Sequence, residues 1–280
     1  MNVRQFRISR RSVALVAGFL GMVSLAIGAH AALNKRALDA AKAIGTEQLG
    51  NIAGKPAKLA LVIGNGHYPD AAEPLNQPIN DARALTGTLR QNGFDVDVVE
   101  DASRDDMQRA IGRLKSKVKP DSVVMLFFGG YGIQAGRESY MIPVDARIWK
   151  EIDIRREGIS VESVLDGIKE KGAHAKLVVI DASRRNPYER RFRSYSHGLA
   201  PINSPDNALI ISSATPGKVV DDSRGHNSVL VTELLNNLAA KSSGLESVFK
   251  KTRIAISRAS DGEQVPTVSS SLLDDIRFGG

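Results

Sequence analysis

Lys176–Pro187 reads KLVVIDASRRNP, and this stretch decides the fold. Leu177–Ile180 is an unbroken apolar run rich in β-branched side chains, with no polar alternation. Such a run is a strand buried on both faces, the kind found in parallel sheets. It stops at Asp181, and polar residues follow at once. Ser183 therefore lies just past a strand's carboxyl end, where open α/β sheets gather function. The same strand signature recurs upstream. Lys58–Gly64 (KLALVIG) and Ser122–Phe128 (SVVMLFF) are near-continuous apolar strands, and Phe94–Val99 and Ala208–Ser212 add two more.

Helical patterns separate these strands. Asn80 and Asp81 are expected to cap a helix to about Arg90, ended by Asn92-Gly93. Further helices are expected from Asp101 or Ser103 to about Val118, over Ser160–Lys171, and over about Ser228–Ala240 and Gly244–Ala259. Ser139–Pro143 reads as a short strand, half of a small hairpin. Beyond Ala259 the chain is polar until Ile276-Arg277-Phe278. Strands alternating with helices imply an α/β fold of three layers, αβα, with a mostly parallel sheet covered on both faces. One domain is expected, over 57–278.

The 280 residues carry 38 Lys and Arg, 31 Asp and Glu, and no cysteine. The basic excess is not in the domain. Residues 1–36 hold Arg4, Arg7, Arg10, Arg11, Lys35 and Arg36 and no acid, which leaves 32 bases against 31 acids elsewhere. A nucleic-acid-binding domain would carry its own basic face, so no nucleic-acid partner is expected. Instead, four arginines precede the uncharged run Val13–Gly28, and Ala29-His30-Ala31 has the A-x-A form of a cleavage site. That order is an export signal. Residues 1–32 are read as a signal peptide or signal anchor that keeps the arginines on the inner side of the membrane while the rest crosses, and 33–56 as a connector. The domain is expected in the periplasm, or tethered to the inner membrane and facing the periplasm. The missing cysteines exclude a disulfide scaffold and a thiol nucleophile.

Three loops follow apolar strands. Gly64-Asn65-Gly66-His67-Tyr68 lacks the third glycine and the immediate helix of a dinucleotide fingerprint, and Pro69 follows. Gly129-Gly130-Tyr131-Gly132 puts one aromatic among three glycines. Asp181-Ala182-Ser183-Arg184-Arg185-Asn186-Pro187 offers a serine. Of the five histidines, His67 is at a strand end and His174 precedes its strand, which puts it at the opposite sheet edge. His30, His197 and His226 complete the set.

Taken together these segments resemble the caspase–metacaspase peptidase family, most closely its bacterial orthocaspase branch. LALVIGNGHY with NQPINDARAL resembles the family's first strand and helix. LFFGGYGIQAGRESYMIPVDA resembles the stretch with a Ser-Gly-His-Gly turn and G-x-x-Y-x-x-P-x-D. KLVVIDASRRNP resembles the strand and Asp-Ala-Cys-Arg-x-Asn-Pro turn. HGLAPI, SSATPGKVVDD, HNSVLVTELL and QVPTVSSSL are also similar.

The resemblance implies a caspase-like three-layer fold. It places the family's catalytic His on Tyr131 and its catalytic Cys on Ser183. A tyrosine near its ordinary pKa of about 10 is protonated at neutral pH and is a poor base, and serine depends on an adjacent base. In a serine protease, removing the catalytic residues costs about a millionfold in kcat. The expectation is a catalytically inactive pseudoprotease that binds a peptide or protein partner. The alternative is an active serine hydrolase that uses Ser183, with another base, to cleave after basic residues. Metacaspase-like members hold a basic side chain with acidic groups, and that role falls on Asp181 and, less closely, on Asp81. Residue types alone allow Asp181 as a loop brace as readily as an acid for a basic side chain, and favour Asp81 as a helix cap. No metal or cofactor is expected.

Overall fold

The computed structural model describes residues 56–188, 191, 198–220, 225–239 and 244–278. The expected signal or anchor, nearly all of the connector, and His197 lie outside the described residues. Among the described residues no helix is long and apolar enough to cross a membrane.

A six-stranded sheet forms the middle layer. Its strands are β1 (Lys58–Gly64), β2 (Asp95–Glu100), β3 (Val123–Gly129), β7 (Ala175–Asp181), β8 (Ala208–Ser212) and β9 (Thr267–Ser270), in the order β2-β1-β3-β7-β8-β9. All neighbours are parallel except β9, which runs antiparallel to β8. The connections between parallel strands contain α1 (Gln77–Gln91) between β1 and β2, α2 (Arg104–Lys117) between β2 and β3, and α4 (Val161–Glu170) before β7. Helices α5 (Val229–Leu238) and α6 (Leu245–Ala259) follow β8. A smaller antiparallel sheet joins β4 (Gly132–Ala135), β5 (Glu138–Met141) and β6 (Ile159–Ser160), with α3 (Glu151–Glu157) between β5 and β6.

The unbroken apolar runs have a direct cause. Every residue of β3 and β7 is buried, because alternate side chains enter two different cores. Leu61, Ile63, Leu126, Phe128, Val178 and Ile180 pack in the core that contains side chains of α2 and α4. Val62, Met125, Phe127, Leu177 and Val179 pack in the core that contains side chains of α1, α5 and α6. Each buried aliphatic or aromatic side chain contributes about 1.5–3 kcal/mol relative to exposure. The expected three-layer fold is the observed one.

Local expectations hold unevenly. Ser103 caps α2 and forms a reciprocal capping box with Asp106, and Ser160 caps α4. The first helix begins earlier than the polar pair suggests. Its N-cap is Asn76, with proline in the first turn, so Asn80 and Asp81 lie inside α1 and cap nothing there. Pro78 is the missed signal, because proline fits the first helical turn. Strand β4 is the other half of the hairpin expected at Ser139–Pro143, whereas helix α3 and strands β6 and β9 are additions to the sequence expectation.

Candidate functional site

Register places the functional loops side by side. Gly64, Gly129 and Asp181 are abreast at the carboxyl edge of β1, β3 and β7. Strand order reverses between β1 and β3, so this edge is the sheet's switch point. Pairing continues beyond the sheet: Gly130 N–H donates to Asp181 O at 3.2 Å and Gly132 N–H to Ala182 O at 2.9 Å. Tyr131 and Ser183, each two residues past its strand's edge, are therefore held on neighbouring loops.

Both positions are enclosed. Tyr131 is 6% exposed and Ser183 1%. The Tyr131 ring packs on Tyr68 with centroids 4.6 Å apart. The Tyr68 hydroxyl accepts from Tyr131 N–H at 3.1 Å and donates to Ile142 O at 2.9 Å. Burial pushes the Tyr68 phenol well above its ordinary range, so it stays neutral and acts as a bridge between loops. Gly130, at φ 154°, permits this approach, since a Cβ there would lie 2.5 Å from the Tyr68 hydroxyl.

Nucleophilic catalysis by serine needs a base at its hydroxyl and free donors for the developing oxyanion. Among the described residues no histidine or carboxylate hydrogen-bonds the Ser183 hydroxyl. His67, a conceivable base, is turned to the other side of β1: its Nδ1 pairs with Asp101 at the end of β2, at 2.6 Å. His174 sits at the opposite sheet edge, 3.4 Å from Asp274, and His226 lies against Asn80. The nearby amides are engaged as well. Ser183 N–H donates to Ser213 Oγ at 3.4 Å, and Gly132 N–H is taken by Ala182 O.

Two buried carboxyl groups lie beside this centre. Asp181 ends β7 and pairs with Arg184, Oδ2 to Nη2 at 3.1 Å, both residues buried. The same guanidinium also donates to the carbonyls of Asp181 and Gly130. Arg184 is thus an internal counter-ion, and Asp181 is a loop brace as well as an acid. The i, i+3 spacing of Asp181 and Arg184 was the available signal for this pair. Asp81 braces a different helix from the one expected. Its Oδ1 accepts from Asn227 Nδ2 and Ser228 N–H, each at 2.9 Å, and Ser228 is the N-cap of α5. Its Oδ2 is buried with no hydrogen-bond partner. Burial first, and then the neighbouring Asp181 carboxylate, push Asp81 up to about 6.

Gly64 and Gly66 form no phosphate cradle. A Cβ at Gly64 would meet Pro78 O at 2.5 Å, and one at Gly66 would meet Leu75 O at 2.4 Å. Gly64 permits close packing against α1, and Gly66 against the chain that leads into it. Among the described residues no group of three or more His, Asp or Glu is placed to hold a metal ion.

The caspase-domain family model matches residues 57–277, nearly the whole described region. The chain belongs to the caspase-domain family. It is 30% identical over 134 residues to mucosa-associated lymphoid tissue lymphoma translocation protein 1 of Homo sapiens, and likewise to its homolog in Mus musculus. Each alignment covers 47% of this chain and 16% of the relative, so the chain spans a small part of those proteins. The caspase domain places this chain with a peptidase family.

Proposed function

We propose that this caspase domain is an exported or membrane-tethered pseudoprotease of the orthocaspase branch, which binds a basic peptide or protein segment without cutting it. The observation that carries the proposal is the state of Ser183: an enclosed hydroxyl with no base beside it among the described residues and with the adjacent amides already bonded. The whole sequence contains no cysteine to serve as the family's thiol. The arginine-led apolar run at the N-terminus supports export, with the domain at the periplasmic face of the inner membrane or free in the periplasm.

Binding rests on the two carboxyl groups. Asp181 already holds Arg184, whereas Asp81 retains one unpartnered oxygen. A guanidinium or ammonium group reaching that oxygen would gain a charge-assisted hydrogen bond and lower the cost of keeping Asp81 ionised. Access requires the segment at 225–228 to part from α1, to which Gln77, Asn80 and Asp81 bind it. The test is calorimetric titration with a peptide bearing one Arg and with its citrulline counterpart, which keeps the shape without the charge. The Arg peptide should bind at least tenfold more tightly, about 1.4 kcal/mol, and Asp81→Asn should erase that preference. Equal binding of the two peptides would sink the proposal.

A further inference from the structure

The cations of α2 divide into two groups. Arg109, Arg113 and Lys117 each meet a carboxylate, on Asp106, Asp97 and Asp95. Arg104 and Lys115, on the same helix, have no ion pair among the described residues. They line a cavity of about 360 Å³ together with Arg155 of α3, which also lacks an ion pair there. Arg155 makes one long contact, Nη2 to Ala135 O at 3.5 Å.

Two details describe how these cations are held. The Arg104 Nε is shielded from solvent and has no acceptor among the described residues, so its guanidinium would meet a ligand in the cavity through the other two nitrogens. Lys115 is seated on Gly167 of α4, where an added Cβ would fall 2.0 Å from its Nζ. Any side chain at 167 would push the ammonium from its place. One carboxylate, Glu138, shares the wall, and its oxygen accepts from the Tyr140 hydroxyl at 2.6 Å. Three positive groups thus face one acid that is already engaged. Ile111, Val164 and the Tyr140 ring supply apolar wall between them.

We infer that this cavity between α2, α4 and the small sheet binds a small phosphate ester, with phosphate oxygens on Arg104, Arg155 and Lys115 and a ring or apolar moiety against the Ile111 and Tyr140 wall. Guanidinium groups suit phosphate because their paired donors match its oxygens. The volume exceeds that of one phosphate, which leaves room for the esterified group. The site shares no residue with the Ser183 centre or with the Asp81–Asp181 pair.

The experiment is calorimetric titration of the full chain with AMP as probe, with adenosine and inorganic phosphate in parallel. AMP should bind, adenosine should not, and affinity should fall as sodium chloride is raised. Arg104→Gln and Arg155→Gln should each weaken AMP binding at least tenfold. Arg109→Gln, which removes the same charge from a paired position, should leave it unchanged, as should Ser183→Ala. Thermal unfolding of each variant separates loss of the site from loss of the fold. No binding of AMP by the unaltered chain at millimolar ligand, equal binding of adenosine, or unchanged affinity in folded Arg155→Gln would each overturn the inference.

Discussion

Replacing Asp81 with asparagine should change how stability depends on pH. Asp81 is fully buried, and its carboxyl is raised from 3.8 to about 6 by burial and by Asp181. At about 1.4 kcal/mol per pKa unit, the ionised form is disfavoured in the folded protein by about 3 kcal/mol. The direction follows from the raised value. Below the ordinary carboxylate range the group is protonated folded and unfolded, and it costs nothing. Between about pH 4 and pH 6 the folded state holds the proton more tightly, so its contribution to stability falls as pH rises. Above that window the full cost remains. Asparagine keeps an oxygen that can accept from Asn227 and Ser228 and carries no charge at any pH. Its amide then places a donor where the unpartnered oxygen stood, which costs about 1–3 kcal/mol at every pH. The variant is therefore expected to be near neutral or stabilised at pH 7.5 and destabilised at pH 4. The mutant-minus-parent difference in unfolding free energy should move by about 2–3 kcal/mol across that range. Urea denaturation at a series of pH values measures it. Carboxylates held low, such as Asp101 and Asp106, affect both proteins alike and cancel in the difference. A difference that stays constant from pH 4 to pH 7.5 would refute a strained, ionised Asp81.

Arg184→Met should destabilise the domain by about 3–5 kcal/mol in urea denaturation, because it leaves Asp181 buried without its counter-ion. Adding Asp181→Leu should recover much of that loss. Gly66→Ala should cost about 1–3 kcal/mol by the same assay, since its Cβ would strike Leu75 O. Gly87→Ala, with nothing within 4 Å of the added carbon and set within α1, should instead stabilise by about 0.5–1 kcal/mol. Tyr131→His combined with Ser183→Cys should restore cleavage after basic residues, measured on Arg- and Lys-containing peptides. No cleavage by the folded double variant would show that the scaffold has lost more than its dyad.

The sheet was legible because its strands have one physical signature. Burial on two faces removes polar residues from the interiors of β1, β3, β7 and β8, and short runs of that kind bounded by turn residues read as strands. The cap at Ser160 was equally plain, the start near Ser228 was legible, and Ser103 was one of two candidates with Asp101, since a side-chain oxygen before an apolar periodic run suits a helix start. Strand β9 was not legible. It is an edge strand with a half-buried TVSS sequence, and such a strand reads like any polar tail. Helix α3 is seven residues long, with Ile152 and Trp149 before it exposed, so it shows little apolar face. The loops carried their chemistry in sequence, but their partners were set by register. Tyr131 could be paired with Ser183 only because a familiar motif order placed them. That Arg184 folds back on Asp181, and that Asp81 ties α1 to α5, depends on contacts 3 and about 146 residues apart in the chain. The shorter spacing could have been guessed and the longer could not.

The most direct test of the account is turnover of peptides bearing Arg or Lys at the cleavage position, by the folded domain and by its Ser183→Ala variant. The account predicts binding with no product above the variant's background. Turnover that disappears when Ser183 is replaced would contradict it, and would show that this serine has a base in solution that the folded structure does not place beside it.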